Sequence, residues 1–315
     1  MRPILISVLL MTLAAPAAAA DKPAYLPPHN KLGQPDFGGV WSFNSLTRLE
    51  RPAAIKNLVM TEDEAKTHTP ASVLPHDSVG TSDTEAHDEL NYTWARLGGE
   101  IRSSWLTVPA TGKLPYRPDA QAKLRSYGGA SNPEDRSIYE RCLSMPQNGP
   151  PILNAAYNNN IRVMQTKDFI ILQPEANHEV RTIRLKTRTH LSPLVPQWTG
   201  DSVGWFEGDT LVIETTGFEP HQSDRRSAMT PVIMSPDAKV TERLTRISKD
   251  QIRYSFEVND PAMFTETWKG EIPWNATTGP MYEYACHEGN YGLANILSGA
   301  RYEEQQRAKA SPPSR

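Results

Sequence analysis

Cysteine is nearly absent from this chain: Cys142 and Cys286 are the only two among 315 residues. Also missing is any histidine pair at a spacing that sets two ligands on one helix face. His68, His76 and His87 share a polar segment without it and read as solvated loop residues, so no metal is expected. A nucleotide-binding glycine loop, a haem-attachment motif and a serine in a nucleophile elbow are lacking, so no cofactor is expected either. Past the N-terminus no apolar run approaches the roughly 20 residues of a membrane-spanning helix. Positive charge is not in excess: 33 Lys and Arg face 36 Asp and Glu, a formal net charge of -3. That balance removes the electrostatic case for nucleic acid or an anionic membrane surface as a partner.

What is present begins with an address. Met1-Arg2, the apolar run Ile4 to Leu13 and the small residues Ala17 to Ala20 form a secretory signal, with cleavage expected after Ala20 and residues 1–20 removed. The mature protein is then periplasmic or secreted. In such a compartment two cysteines pair by default; the other reading is two separate buried thiols. The 27 prolines and the 38% hydrophobic content favour loops and short strands over helices.

Residues 21–160 read as an irregular N-terminal region with short helices. Thr61-Glu62-Asp63-Glu64 has capping-box spacing, Asn91 to Leu97 and Asp119 to Arg125 read as helical, and Val40 to Phe43 and Ser103 to Val108 as strands. Residues 161–294 carry the regular strands. Glu207-Gly208-Asp209 and Ser248-Lys249-Asp250 are hairpin turns, and Ile252, Tyr254, Phe256 and Val258 alternate with polar residues. Thr265 to Ile272 and Tyr282 to Cys286 complete the set, and 295–315 form a helix and a tail. The fold expected is mainly β, an antiparallel meander of about eight strands closed into a lipocalin-like barrel, with an open two-sheet sandwich as the alternative.

Chemistry concentrates in Tyr282 to Gly292, which holds Tyr284, Cys286, His287, Glu288 and Asn290. If Cys142 and Cys286 are bonded, their Cα atoms lie within about 7 Å, and Glu140-Arg141 meets His287-Glu288. His287 then moves a proton, Glu288 or Glu140 orients it, and Arg141 holds a carboxylate or enolate, with Tyr284 and Asn290 positioning the substrate. Tyr157 and Asn159 lie in a polar loop, His178 and Arg181 at a strand edge, and Trp205 in a strand; these are further substrate-binding candidates. The competing reading of the whole group is a buried polar network. A Cys286–His287 nucleophilic dyad is excluded, because neighbours on a strand point to opposite faces. Asp201-Ser202 reads as a turn, and His190 and His221 as exposed loop residues.

The stretches Pro35-Asp36-Phe37-Gly38-Gly39-Val40-Trp41, Glu140-Arg141-Cys142, Tyr157 to Asn160, Gly204 to Val212 and Tyr282 to Leu293 together resemble an uncharacterised family of secreted bacterial proteins. The resemblance implies an exported fold of the same kind and no particular reaction. The glycine-then-tryptophan start at Gly39 and Trp41 is similar to that of lipocalin-type barrels. Three function classes remain: an enzyme doing elimination, isomerisation or hydrolysis on a small organic molecule, a carrier of an apolar small molecule whose barrel is lined by Trp205, Phe256 and Trp268, and a structural envelope protein that docks to a partner.

Overall fold

The structure, a computed structural model, describes residues 25–69, 93–126, 129, 131–222, 225–227 and 230–310. The expected signal segment, His76, His87 and the tail after residue 310 lie outside the described residues.

The N-terminal part supplies β1 (Gly39–Ser42), β2 (Val59–Met60), α1 (Glu62–His68), β3 (Arg96–Leu97), β4 (Glu100–Arg102), β5 (Leu106–Val108) and α2 (Pro118–Ser126). Then come β6 (Asn160–Gln165), β7 (Phe169–Pro174), β8 (Arg181–Arg184), β9 (Asp201–Glu207), β10 (Thr210–Thr216), β11 (Arg225–Ser227), β12 (Thr230–Val232), β13 (Lys239–Ser248), β14 (Gln251–Asn259), β15 (Trp268–Ala276) and α3 (Gly292–Ala310). Thr61 caps α1 and Glu64 returns the bond, the box its spacing predicts. Of the expected helix at Asn91 to Leu97, Asn91 and Tyr92 lie outside the described residues and the rest is not helical, Arg96 and Leu97 pairing with β4 as strand.

The barrel closes. Its strands run β1-β6-β7-β8-β9-β10-β13-β14-β15, and β15 pairs back onto β1, while β5 pairs with the earlier part of that same edge of β15. Three features differ from a plain meander. β1, from the N-terminal region, is a stave of the barrel, lodged between β6 and β15. β8 and β9 run parallel, because the connection after Arg184 returns to the end where β8 began instead of turning tightly. Tyr282 to Cys286 is not a strand but irregular chain outside the barrel wall.

Register decides what fills the interior. Val240, Glu242 and Leu244 of β13 oppose Val258, Phe256 and Tyr254 of β14, which in turn oppose Trp268, Gly270 and Ile272 of β15. Tyr254 stacks on Trp274 at 4.8 Å, and Phe256 meets the edge of Trp268 at 5.6 Å between ring centroids. Glycine at 270 makes room for this, since a Cβ there would fall 2.3 Å from Phe256 Cζ. One end is shut by Trp41, whose Nε1–H donates to Phe37 O (2.9 Å) and whose ring lies under Arg246 at 5.3 Å.

Trp205 does not line the interior. β9 turns Ser202, Gly204 and Phe206 inward, opposite Thr215, Ile213 and Leu211, so Trp205 faces out with its ring under Arg188 at 3.6 Å. Asp201-Ser202 opens β9 rather than forming a turn. Gly200 takes the bend at φ +70°, and its close approach to Thr215 leaves no room for a side chain. His190 is not loosely exposed: its Nδ1 lies 2.9 Å from Asp201 Oδ2 and its Nε2 3.3 Å from Glu214 Oε1. Among the described residues no helix is long and apolar enough to cross a membrane.

Candidate functional site

Cys142 and Cys286 are bonded, with Cα atoms 5.7 Å apart. A tight turn presents Cys142: Arg141 N–H donates to Ser137 O (3.1 Å) and Cys142 N–H to Tyr139 O (3.0 Å), and Cys142 itself takes a left-handed φ of 55°. The bond holds the irregular C-terminal segment against this turn. Tyr282 N–H donates to Glu175 Oε1 (2.8 Å), and Asn290 Nδ2 lies 3.4 Å from Cys142 Sγ.

Between the two segments lies a cleft of about 300 Å³, lined by Tyr139, Glu140, Tyr284, Cys286, Asn290 and the start of α3 through Leu293 and Ile296. Its polar wall is phenolic. Tyr139 Oη is 2.7 Å from Tyr157 Oη, and Tyr157 stacks on Tyr284 at 6.2 Å. Burial pushes the Tyr139 hydroxyl up, and the neighbouring Tyr157 and Tyr284 add to it; burial and then Tyr157 do the same for Tyr284. Both phenols therefore stay protonated. For Glu140, burial works to raise its value. The ion pair with Arg136 and the Ser137 N–H outweigh burial and hold Glu140 below the ordinary carboxylate value.

The predicted residues divide. Glu140, Tyr284, Cys286 and Asn290 line the cleft, and Tyr157 backs it. His287 and Glu288 are exposed on the turn that follows Cys286, and no hydrogen bond or ion pair joins them to Glu140 or Arg141 among the described residues. The cause is local: without a strand at Tyr282 to Cys286, nothing directs the two side chains inward. Arg141 turns to the other side, its guanidinium 5.8 Å from the Trp198 ring and its Nη1 buried without a hydrogen-bond partner. Asn159 is buried away from the cleft and staples its own loop, donating to Asn44 Oδ1 (2.8 Å) and Ala155 O (3.0 Å). The His178 side chain lies outside what is described.

Arg181 belongs to a second polar group, inside the barrel. It forms a two-pronged ion pair with Glu242, Nη1 to Oε1 at 3.1 Å, with both residues almost fully buried. Tyr254 Oη donates to Glu242 Oε1 (2.7 Å) and accepts from Ile152 N–H (2.7 Å), tying the barrel to the segment that covers its mouth. Arg225 sits at that mouth, donating to Gly149 O (2.8 Å), Trp198 O (2.7 Å) and Gln222 Oε1 (3.0 Å). Burial lowers its pKa to about 10 despite the attraction of Glu179. Glu242, Glu179 and Arg225 were not among the predicted residues. For Glu242 the signal was legible, since a carboxylate in phase with Val240 and Leu244 is a charge facing inward.

Burial also raises Glu179, against the pull of Arg225, Ser144 and Arg181. Its folded pKa thus exceeds its unfolded one, so the folded state binds the extra proton. Stability contributed this way is full at low pH and is lost as pH rises from the ordinary value of 4.5 through the folded value. Glu179→Gln mimics the protonated form. Its stability relative to the wild type is expected to grow more favourable from pH 4 to pH 8, as read from urea midpoints across that range. A flat difference would show that Glu179 is not the group that titrates.

No protein-family model, curated protein or solved structure matches this chain, so the chemistry of the site rests on its own residues.

Proposed function

We propose that this is an exported β-barrel protein that takes a small organic molecule into the cleft beside Cys142–Cys286 and carries out acid/base chemistry on it. The carrying observation is a cleft wall that presents Tyr139 and Tyr284 together with Glu140, the two phenols backed by Tyr157. Protonated phenols aimed at a ligand oxygen stabilise negative charge that develops there, the electrostatic need of elimination, isomerisation and ester hydrolysis alike. Glu140, fixed by Arg136, supplies a permanent negative charge that orients the ligand. Asn290 supplies an amide at the same wall, and His287, next in chain to Cys286, exchanges the proton with solvent. The disulfide suits an oxidising compartment and supports export. Against the carrier reading, Trp205 faces out, and Phe256 and Trp268 meet each other edge to face inside the barrel.

The test incubates the protein with a metabolite library, reading binding by thermal shift and conversion by mass spectrometry. A compound that binds and is converted is expected, with Tyr139→Phe and Tyr284→Phe each lowering turnover by about a hundredfold while binding persists. His287→Ala is expected to lower turnover and leave affinity in place. If every bound compound is recovered unchanged from the wild type, the acid/base reading is wrong.

A further inference from the structure

The parallel seam between β8 and β9 is short. It pairs only Ile183 with Ser202 and Arg184 with Val203, so the ladder stops two residues short of the start of β8. Beyond it the turn closed by Gly200 N–H on Gln197 O (3.1 Å) carries the chain away from β8. The barrel wall is therefore split at Arg181 and Thr182, and a cleft of about 260 Å³ occupies the split. This cleft is separate in its lining residues from the one beside the disulfide.

Its two parts differ in chemistry. One side of the rim is apolar: Phe169, Val180 and Leu191 line it at 40%, 46% and 45% exposure, beside the exposed Thr182 and Gln197, and Leu194 and Val195, on the same connection as Leu191, are exposed as well. The inner part reaches Arg181, Thr199 and Ser202, all buried. Ser202 is occupied by Thr215, hydroxyl to hydroxyl at 2.8 Å. Arg181 is not fully used, since both terminal nitrogens serve Glu242 while its buried Nε has no acceptor. A buried donor left unmet costs free energy, and the residue that carries it lines this cleft.

Charge selects the kind of acceptor. Arg181 is neutralised by Glu242, Arg184 is clamped on Asp201 at 2.9 and 2.7 Å, and Glu179 stands beside Arg181 and Arg225. With each cation matched by a carboxylate, an anionic ligand meets no surplus positive charge and must approach Asp201, which itself lines the cleft. We infer that the β8–β9 split is a binding site for an uncharged amphiphile: a short apolar body against Phe169, Val180 and Leu191, and a single carbonyl oxygen reaching toward Arg181. At about 30 Å³ per water-sized group the cleft takes a molecule of some eight or nine non-hydrogen atoms, and affinity for so small a ligand lies in the micromolar to millimolar range.

Methyl hexyl ketone matches this size and serves as the probe, with octanoate as its charged counterpart, both titrated by ligand-observed NMR. Saturable single-site binding of the ketone is expected, with octanoate at least about tenfold weaker. Val180→Asp and Leu191→Asp, at half-exposed positions outside the core, should each weaken the ketone by about tenfold or more, with an unchanged melting temperature showing the fold intact. Tyr284→Phe, in the other cleft, should leave it unchanged. Failure of the ketone to saturate at low-millimolar concentration, a preference for octanoate, or indifference to Val180→Asp and Leu191→Asp would each overturn the assignment. Sensitivity to Tyr284→Phe alone would place the ketone in the disulfide cleft and overturn it too.

Discussion

Replacing both cysteines, as Cys142→Ser with Cys286→Ser, is expected to lower the melting temperature by roughly 10 °C. The bond closes a loop of 144 residues, and the chain-entropy relation assigns such a closure about 5 kcal/mol. Spread over the unfolding entropy of a chain of this size, that is near 2 °C for each kcal/mol. The loss should have a local part as well. After Ala276 the described chain is held to the body by few contacts besides the bond: Thr277 N–H to Val40 O (3.1 Å), Tyr282 N–H to Glu175, the Tyr157–Tyr284 stack and Asn290 beside Cys142. Hydrogen exchange in the reduced protein should therefore rise first from residue 280 onward, while β13 to β15 keep their protection. A reduced protein that melts within a degree or two of the oxidised one, with unchanged exchange after 280, would show that those contacts suffice.

The second large effect is expected from Glu242→Gln. It removes the negative partner of an arginine that is 3% exposed and leaves that charge inside the barrel, which costs about 3–5 kcal/mol. Removing both charges together is milder. Arg181→Met with Glu242→Leu fills the same volume without an unmatched ion and should recover most of the loss in chemical denaturation. Recovery is not complete, because the Tyr254 hydroxyl proton keeps no acceptor once Glu242 is gone. If the double variant is as unstable as the single one, the ion pair is not what makes Glu242 costly to replace.

These two expectations come from features of unequal legibility. The disulfide was legible in the count of cysteines, and the hairpins at Gly208 and Lys249 in their turn residues. The alternation through Ile252, Tyr254, Phe256 and Val258 gave the inner face of β14 directly. Closure of the barrel was legible as a class, but not the identity of the closing strand, because the pairing of Trp41 with Ala276 depends on where distant segments meet. Trp205 misled through its size. Strand phase is set by neighbours, and Gly204 must face inward, where a Cβ would lie 2.6 Å from Ile183 Cγ2, so the residue beside it faces out. Arg181 was legible as unusual for a core face, yet its partner sits 61 residues away on another strand. Tyr139 was missed beside Glu140, since nothing local shows that its hydroxyl will meet that of Tyr157.

The position of β1 has a consequence for the order in which the molecule is made. A chain synthesised from its N-terminus delivers Gly39–Ser42 early, but one neighbour, β6, emerges more than a hundred residues later and the other, β15, more than two hundred. Until then both backbone edges of this short stave are bare, and the staves from β6 onward can accumulate only as an open, growing sheet. Such long-range pairing is slow to form, and an open sheet with unpaired edges is prone to join with another copy. The ring becomes self-contained only when its last stave finds its first, so release of the C-terminal third of the chain, rather than of any earlier segment, sets the moment at which the protein is safe from its own kind.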